Sequence, residues 1–139
     1  MKTAVVYWSG TGNTEAMANA VADGAKSAGA EVTLYSASDF NEALAGDFDA
    51  IAFGCPAMGA EELEDGEFIP MFDAVKGILP GKKIGLFGSY GWGDGEWMRT
   101  WQDSCSAAGI ALVSEGVIAE NAPDDEAKAR CEALGKLLA

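Results

Sequence analysis

Histidine is absent from this 139-residue chain. Its absence removes the commonest general base and the commonest zinc ligand, and excludes Ser-His-Asp and Cys-His catalysis. Cysteine is scarce. Cys55, Cys105 and Cys131 follow no C-x-x-C spacing, and their odd number leaves at least one thiol unpaired, so no disulfide scaffold is expected. Basic residues are few as well: nine Lys and Arg stand against 22 Asp and Glu, a formal net charge of −13. That balance repels nucleic acid and anionic lipid surfaces, and it favours partners that present basic patches. No apolar run is long enough to span a bilayer. The short run Ala4–Trp8 passes directly into a Gly/Ser/Thr turn with no small-residue cleavage site. These absences lead to the expectation of a cytoplasmic protein with neither membrane nor nucleic-acid partners. Without repeats, low-complexity tracts or linker-like shifts in composition, the chain is expected to form a single domain, residues 1–139.

Hydrophobic residues make up 49% of the chain, enough for one core. Runs rich in Val, Ile and Leu at Thr3–Tyr7, Val32–Tyr35, Ala50–Gly54, Ile84–Gly88 and Leu112–Ile118 read as five strands. Between them, helical patterns fall at Thr14–Ala28, Asn41–Ala45, Phe68–Leu79, Glu96–Ala108 and Asp124–Leu138, the last opened by Pro123 and Asp124. Alternating strands and helices with near-continuously apolar strands predict an α/β fold, a parallel sheet covered on both faces. Such sheets bind ligands beyond the carboxyl ends of their strands, which directs attention to the loops after strands one, three and four.

The first of these loops is Ser9-Gly10-Thr11-Gly12-Asn13-Thr14, running into a helix. Free N–H groups and the positive dipole end of a first helical turn favour an anion, and glycines let the backbone approach it. The loop contains no Lys, which excludes the nucleoside-triphosphatase Gly-Lys-Ser/Thr ending. Glu15 stands where the dinucleotide fingerprint needs its third glycine. What is left is a neutral, hydroxyl-rich nest for one terminal phosphate, or else a plain turn in which Thr14 caps the helix.

After strand four comes Gly88-Ser89-Tyr90-Gly91-Trp92-Gly93-Asp94-Gly95. Trp92 among glycines fits neither helical nor strand periodicity: either it offers its face to a planar ligand or it folds back into the protein. Trp97 and Trp101, at i and i+4 on the next helix with Cys105 and Ala108 extending the stripe, read as core. After strand three, Cys55-Pro56-Ala57-Met58-Gly59-Ala60-Glu61-Glu62 forms a second turn able to close over a ring. Met58 suits an aromatic face or the core. Cys55 reads as a small buried hydrophobe, since nothing basic nearby would activate its thiol.

Ser9, Thr11, Gly12 and Thr14 match the S/T-x-T-G-x-T phosphate loop of the flavodoxin family. Pro56-Ala57-Met58-Gly59 and Gly88–Gly93 resemble the ring-binding loops of its short-chain, clostridial-type members, and the resemblance runs from the first strand to the last helix. It implies a three-layer, doubly wound, flavodoxin-like fold with strand order 2-1-3-4-5. The function implied is that of a low-potential one-electron carrier working in place of ferredoxin, with non-covalently bound FMN cycling through a semiquinone/hydroquinone couple. Carried over by position, Ser9, Gly10, Thr11, Gly12, Asn13 and Thr14 would hold the phosphate. Met58 and Trp92 would flank the ring, Glu61 would accept from the flavin N3–H, and Pro56, Ala57, Gly59 and Ala60 would complete that loop. Ser89 and the backbone of Tyr90, Gly91, Trp92 and Gly93 would line the ribityl chain and pyrimidine edge.

The family's turn flip points to the Gly59 carbonyl as acceptor for the proton gained at N5, because glycine enters a turn with positive φ cheaply. Ala60 departs from the polar residue often found there in related proteins. Glu61, Glu62, Glu64, Asp65 and Glu67 on one side and Asp94 and Glu96 on the other either oppose the anionic hydroquinone or form a solvated face. The partners implied are basic-surfaced reductases or oxidoreductases, met transiently by a monomer. The Asn121 region lies near the implied flavin but outside the assigned set. Two rivals differ in class. An FMN-dependent NAD(P)H quinone or nitro reductase would need a substrate pocket over the flavin. A receiver domain would need an Asp where strand three ends in Gly54-Cys55-Pro56.

Overall fold

The computed structural model describes residues 2–59 and 61–139. Its order is β1 (Lys2–Tyr7), α1 (Asn13–Ser27), β2 (Glu31–Ser36), α2 (Glu42–Ala45), β3 (Ala50–Gly54), α3 (Phe68–Val75), β4 (Lys83–Tyr90), α4 (Glu96–Ala107), β5 (Val117–Glu120) and α5 (Asp125–Leu137). The strands form one parallel sheet in the order β2-β1-β3-β4-β5, as the family resemblance implies.

Alternation along each strand divides the core between two faces. Ala4, Val6, Ile51, Phe53, Ile84 and Leu86 point to one side, where they pack with Phe68, Phe72, Val75, Trp97 and Trp101 of α3 and α4. Val5, Ala50, Ala52 and Phe87 point to the other, against Met17, Val21, Cys131 and Leu134 of α1 and α5. The three central strands β1, β3 and β4 are therefore buried on both sides, which is why their sequence runs are continuously apolar, whereas the edge strands β2 and β5 are only partly covered.

The predicted helix starts hold in detail. Asp124 Oδ1 accepts from the Ala127 N–H at 2.8 Å, and Asn41 Oδ1 from the Leu44 N–H at 2.9 Å. Three boundaries differ from expectation by more than one residue. The fourth strand does not end at Gly88 but runs on to Tyr90, because Ser89 and Tyr90 pair with Ala119 and Glu120 of β5. Leu112 touches the sheet only through an isolated bridge to Ile84, and the paired strand begins at Val117. Ser114-Glu115-Gly116 turns the chain between them, the Gly116 N–H donating to Gln102 Oε1 on α4, so apolar content in that run overstated the ladder. The helix from Phe68 is regular to Val75 and then tightens into a 3₁₀ turn, Lys76–Ile78, around Gly77. Among the described residues no helix is long and apolar enough to cross a membrane.

Candidate functional site at the carboxyl edge of the sheet

From β1 the chain winds to β2 on one side, and β3 is laid down on the other, so a crevice opens between the carboxyl ends of β1 and β3. Three loops meet there and are tied by backbone hydrogen bonds. The Trp8 N–H donates to the Gly54 carbonyl at 3.0 Å, the Cys55 N–H to Phe87 at 3.1 Å and the Ala57 N–H to Ser89 at 3.0 Å. Two glycines allow this approach: a Cβ on Gly54 would strike the Phe87 ring, and one on Gly88 would strike the Cys55 carbonyl. The Trp97 indole N–H, fully buried, donates to that same carbonyl at 3.2 Å.

In the first loop Gly12 adopts φ 95° and is itself the N-cap of α1. Thr14 is therefore inside the helix, and its hydroxyl lies 3.1 Å from Ser89 Oγ in a buried pair. This disposes of the plain turn capped by Thr14. Ser9 Oγ accepts from the Gly12 N–H at 3.1 Å and from the Glu15 N–H at 3.3 Å, folding the loop over itself. By helical geometry the Asn13 and Thr14 N–H groups remain free to meet an anion. Beneath the loop, Trp8 supports Gly10, whose Cβ position lies 3.1 Å from the indole ring. Glu67 Oε1 fixes that indole by accepting its N–H at 3.1 Å.

The second loop is a short hairpin. Met58 and Glu62 exchange both backbone hydrogen bonds, at 2.8 and 3.0 Å, with Gly59 at φ 43° and Glu61 at φ 57°. Ala60 lies outside the described residues. Glu64 then closes the approach to α3: its carboxylate accepts from the N–H groups of Gly66, Glu67 and Phe68 at 2.7, 2.7 and 2.8 Å. Partial burial alone would raise its pKa, but the three donors outweigh that and hold the carboxyl below the usual range. The Glu64 N–H donates to Cys55 Sγ at 3.3 Å. Burial pushes the Cys55 thiol up to about 12, so it is inert, as its surroundings predicted.

Gly10, Thr11, Asn13, Pro56, Ala57, Met58, Ser89, Tyr90 and Gly91 line a cleft of about 260 Å³. Ser9 and Gly12 face a neighbouring recess shared with Tyr7, Glu15 and Glu67. Trp92 is 65% exposed and does not fold back, and Met58 is 36% exposed, so neither belongs to the core. Glu61 reaches across to Gly93, where an added Cβ would collide with its carboxylate. Trp97 and Trp101 are core, at 1% and 2% exposure. Two residues outside the assigned set line the cleft, Trp8 and Asn121. Asn121 takes φ 57°, which asparagine tolerates better than most residues, and its N–H reaches the Tyr90 carbonyl at 2.7 Å. Its position just past the last strand was the available signal, since that is where the remaining edge loop had to lie.

The acidic residues divide by what they do. Asp94 pairs with Arg99 at 3.0 Å, Glu67 holds Trp8 and Glu64 caps a turn, whereas Glu62, Asp65 and Glu96 stand exposed without ion-pair partners among the described residues.

A doubly wound sheet of this order, with an uncharged phosphate nest and two ring-sized turns at its switch point, defines the flavodoxin-like class. The family model described as flavodoxin matches residues 5–134. The chain is 46% identical over 138 residues to the flavodoxin of Megasphaera elsdenii, covering 97% of this chain and 96% of that one. It is 44% identical over 135 residues to the flavodoxin of Clostridium beijerinckii, covering 97% of each. The solution structure of two-electron reduced M. elsdenii flavodoxin superposes with a TM-score of 0.87 at 45% identity, over 98% of this chain and 97% of that one. This chain belongs to the flavodoxin family. Flavodoxins hold FMN and carry electrons between redox partners, and this chain is accordingly an FMN-binding electron carrier, not an enzyme.

One observation in the site itself bears on the cofactor. Glu61 Oε1 is buried and has no hydrogen-bond partner among the described residues, a costly state unless a donor arrives. An imide N–H at the pyrimidine edge of a flavin is a donor of the required kind, so the residues fit FMN.

Proposed function

We propose that the 139 residues form a single FMN-binding domain that works as a low-potential carrier of single electrons. The observation that carries this reading is the pairing of an uncharged phosphate nest with an unpartnered, buried Glu61 oxygen at the facing turn. FMN, when bound, supplies reversible one-electron chemistry.

The chain's own residues have four tasks. The Ser9–Thr14 loop binds the phosphate through amide and hydroxyl donors, with Gly10 and Gly12 giving room. Met58 and Trp92 cover the two faces of the ring and exclude water from it. Glu61 takes the N3–H, while Ser89 and the Tyr90–Gly93 backbone orient the ribityl chain and the pyrimidine edge. The Gly59 carbonyl would accept a hydrogen bond from a flavin N5–H, with Pro56 and Ala57 lining the cleft beside it.

The carrier is proposed to be monomeric and cytoplasmic and to meet basic-surfaced reductases or oxidoreductases transiently. Its charge of −13 supports that docking mode. Titrating FMN into the apoprotein tests the site. Saturable quenching of flavin fluorescence is expected, weakened about tenfold by Glu61→Ala, which removes a charged hydrogen-bond acceptor. Equal affinity in that variant would remove Glu61 from the site.

A further inference from the structure

Sulfur is the softest nucleophile this chain has, and the fold hides nearly all of it. Cys55, Cys105 and Cys131 are buried, and burial pushes their thiols up to about 12, about 11 and about 12 respectively. They keep their protons, and oxidants attack the thiolate. Met17 and Met71 belong to the core at 0% and 6% exposure. Met98, at 3%, packs its sulfur beside Gly116, where an added Cβ would strike it. Met1 lies outside the described residues.

Met58 differs from all of these. It is 36% exposed, stands in the hairpin that its backbone closes with Glu62, and lines the cleft of about 260 Å³ together with Ala57, Ser89 and Tyr90. Among the described residues it is the one sulfur side chain open to solvent, and it opens onto the cofactor cleft.

A thioether reacts with a hydroperoxide without prior deprotonation, so access decides which methionine is oxidised. The sulfur lone pair attacks one peroxide oxygen, and an S–O bond forms as the O–O bond breaks. The proton of the transferred hydroxyl passes to the departing oxygen, which leaves as water. Sulfur loses two electrons and the peroxide gains them. The product, a sulfoxide, is polar and chiral where the thioether was apolar. The face of a flavin ring offers that new oxygen no hydrogen-bond donor. It must be buried there unpaired or drive the side chain off the ring.

We propose that Met58 is an oxidation site for hydroperoxides, that its sulfoxide weakens the hold of the cleft on FMN, and that bound FMN in turn shields the sulfur. The selectivity for Met58 stands on its exposure, and the effect on FMN rests on the flavin reading given above.

The full chain, FMN-free and FMN-loaded in parallel, is treated with hydrogen peroxide, mapped by peptide mass spectrometry and titrated with FMN. In the FMN-free protein Met58 is expected to gain one oxygen about tenfold faster than Met17, Met71 or Met98, and FMN loading should slow that gain about fivefold. The oxidised protein should bind FMN about tenfold more weakly, and dithiothreitol with methionine sulfoxide reductases should restore the affinity. Met58→Leu, whatever its own affinity, should hold that affinity through peroxide treatment, and it retains Met1 and Trp92 as internal controls. The proposal is overturned if the buried methionines oxidise as fast as Met58, or if FMN gives Met58 no protection. It is equally overturned if the sulfoxide leaves FMN affinity unchanged, or if peroxide weakens Met58→Leu to the same extent. Untreated protein that fails to bind FMN would overturn the flavin reading and with it the effect on affinity, whereas the peptide map still decides whether Met58 is the oxidation site.

Discussion

Gly59 holds φ 43° at the tip of the Met58–Glu62 hairpin, and an L side chain there is strained whatever the space around it. A turn that presents its carbonyl in the type II′ arrangement demands more of that residue than the left-handed helical region does, because glycine alone enters it freely. Gly59→Ala should therefore make the first electron harder to add, by about 1 kcal/mol or about 40 mV. Spectroelectrochemical titration of both one-electron steps measures this, and unchanged potentials would take Gly59 out of proton holding. Glu67 acts at one remove. By fixing the Trp8 indole under Gly10 it positions the phosphate loop, so Glu67→Ala should weaken FMN binding about fivefold and Glu67→Gln, which keeps an acceptor, should restore most of it. Equal affinities for all three proteins would show that the indole needs no anchor.

Glu64 makes a pH prediction of definite sign. Its folded pKa lies below the ordinary value of 4.5, so its contribution to stability is complete above that pH and is lost as the pH falls through the folded value. Replacing it with Gln, which keeps an acceptor without the charge, should cost about 1 kcal/mol near neutrality, with the difference vanishing on acidification. Urea melts of both proteins across the acid range would show the convergence, and a gap that does not narrow as the pH falls would contradict it.

At the level of elements, α1 and α5 pack through glycine. A Cβ on Gly24 would strike the backbone of Glu132, and one on Gly135 would strike the Val21 carbonyl. Both positions are inside helices, where glycine is about 1 kcal/mol worse than alanine, so contact between the two backbones must outweigh propensity. Gly135→Ala is accordingly expected to destabilise by about 2 kcal/mol despite the better helix former. Gly77→Ala, with nothing near its Cβ position, should be neutral or mildly stabilising. Chemical denaturation of the two variants in parallel separates the effects, and a stabilised Gly135→Ala would mean that the helices part at little cost.

For the molecule as a whole, a charge of −13 acts on both reduction and association. Glu62, Asp65 and Glu96 are exposed carboxylates near the proposed ring site, whereas Asp94 is paired with Arg99 and Glu64 and Glu67 are already engaged. Fewer charges therefore face the flavin than the acidic run suggests. If those that remain oppose the second electron, raising salt from low to moderate ionic strength, where the Debye length falls to about 10 Å, should raise the lower potential. The same salt should slow electron transfer to a basic partner. Potentials measured across a salt series decide between tuning and mere solvation, since a flat series leaves only a solvated face.

The sequence by itself determined the layers, the central strand runs and the loops that carry the chemistry, because burial on both faces of a parallel sheet writes continuous apolar runs in its central strands and the switch-point loops must break them. It also marked the helix starts at Asn41 and Asp124, since capping is local. What only the tertiary structure decided is contact between distant segments. Thr14 meets Ser89, Glu67 meets Trp8 and Glu61 meets Gly93 across the chain. The exposure of Trp92 and the burial of Trp101 without an acceptor likewise follow from how α3, α4 and the edge loops pack. No local pattern encodes such meetings, because they depend on where five strands and their helices bring side chains that lie tens of residues apart.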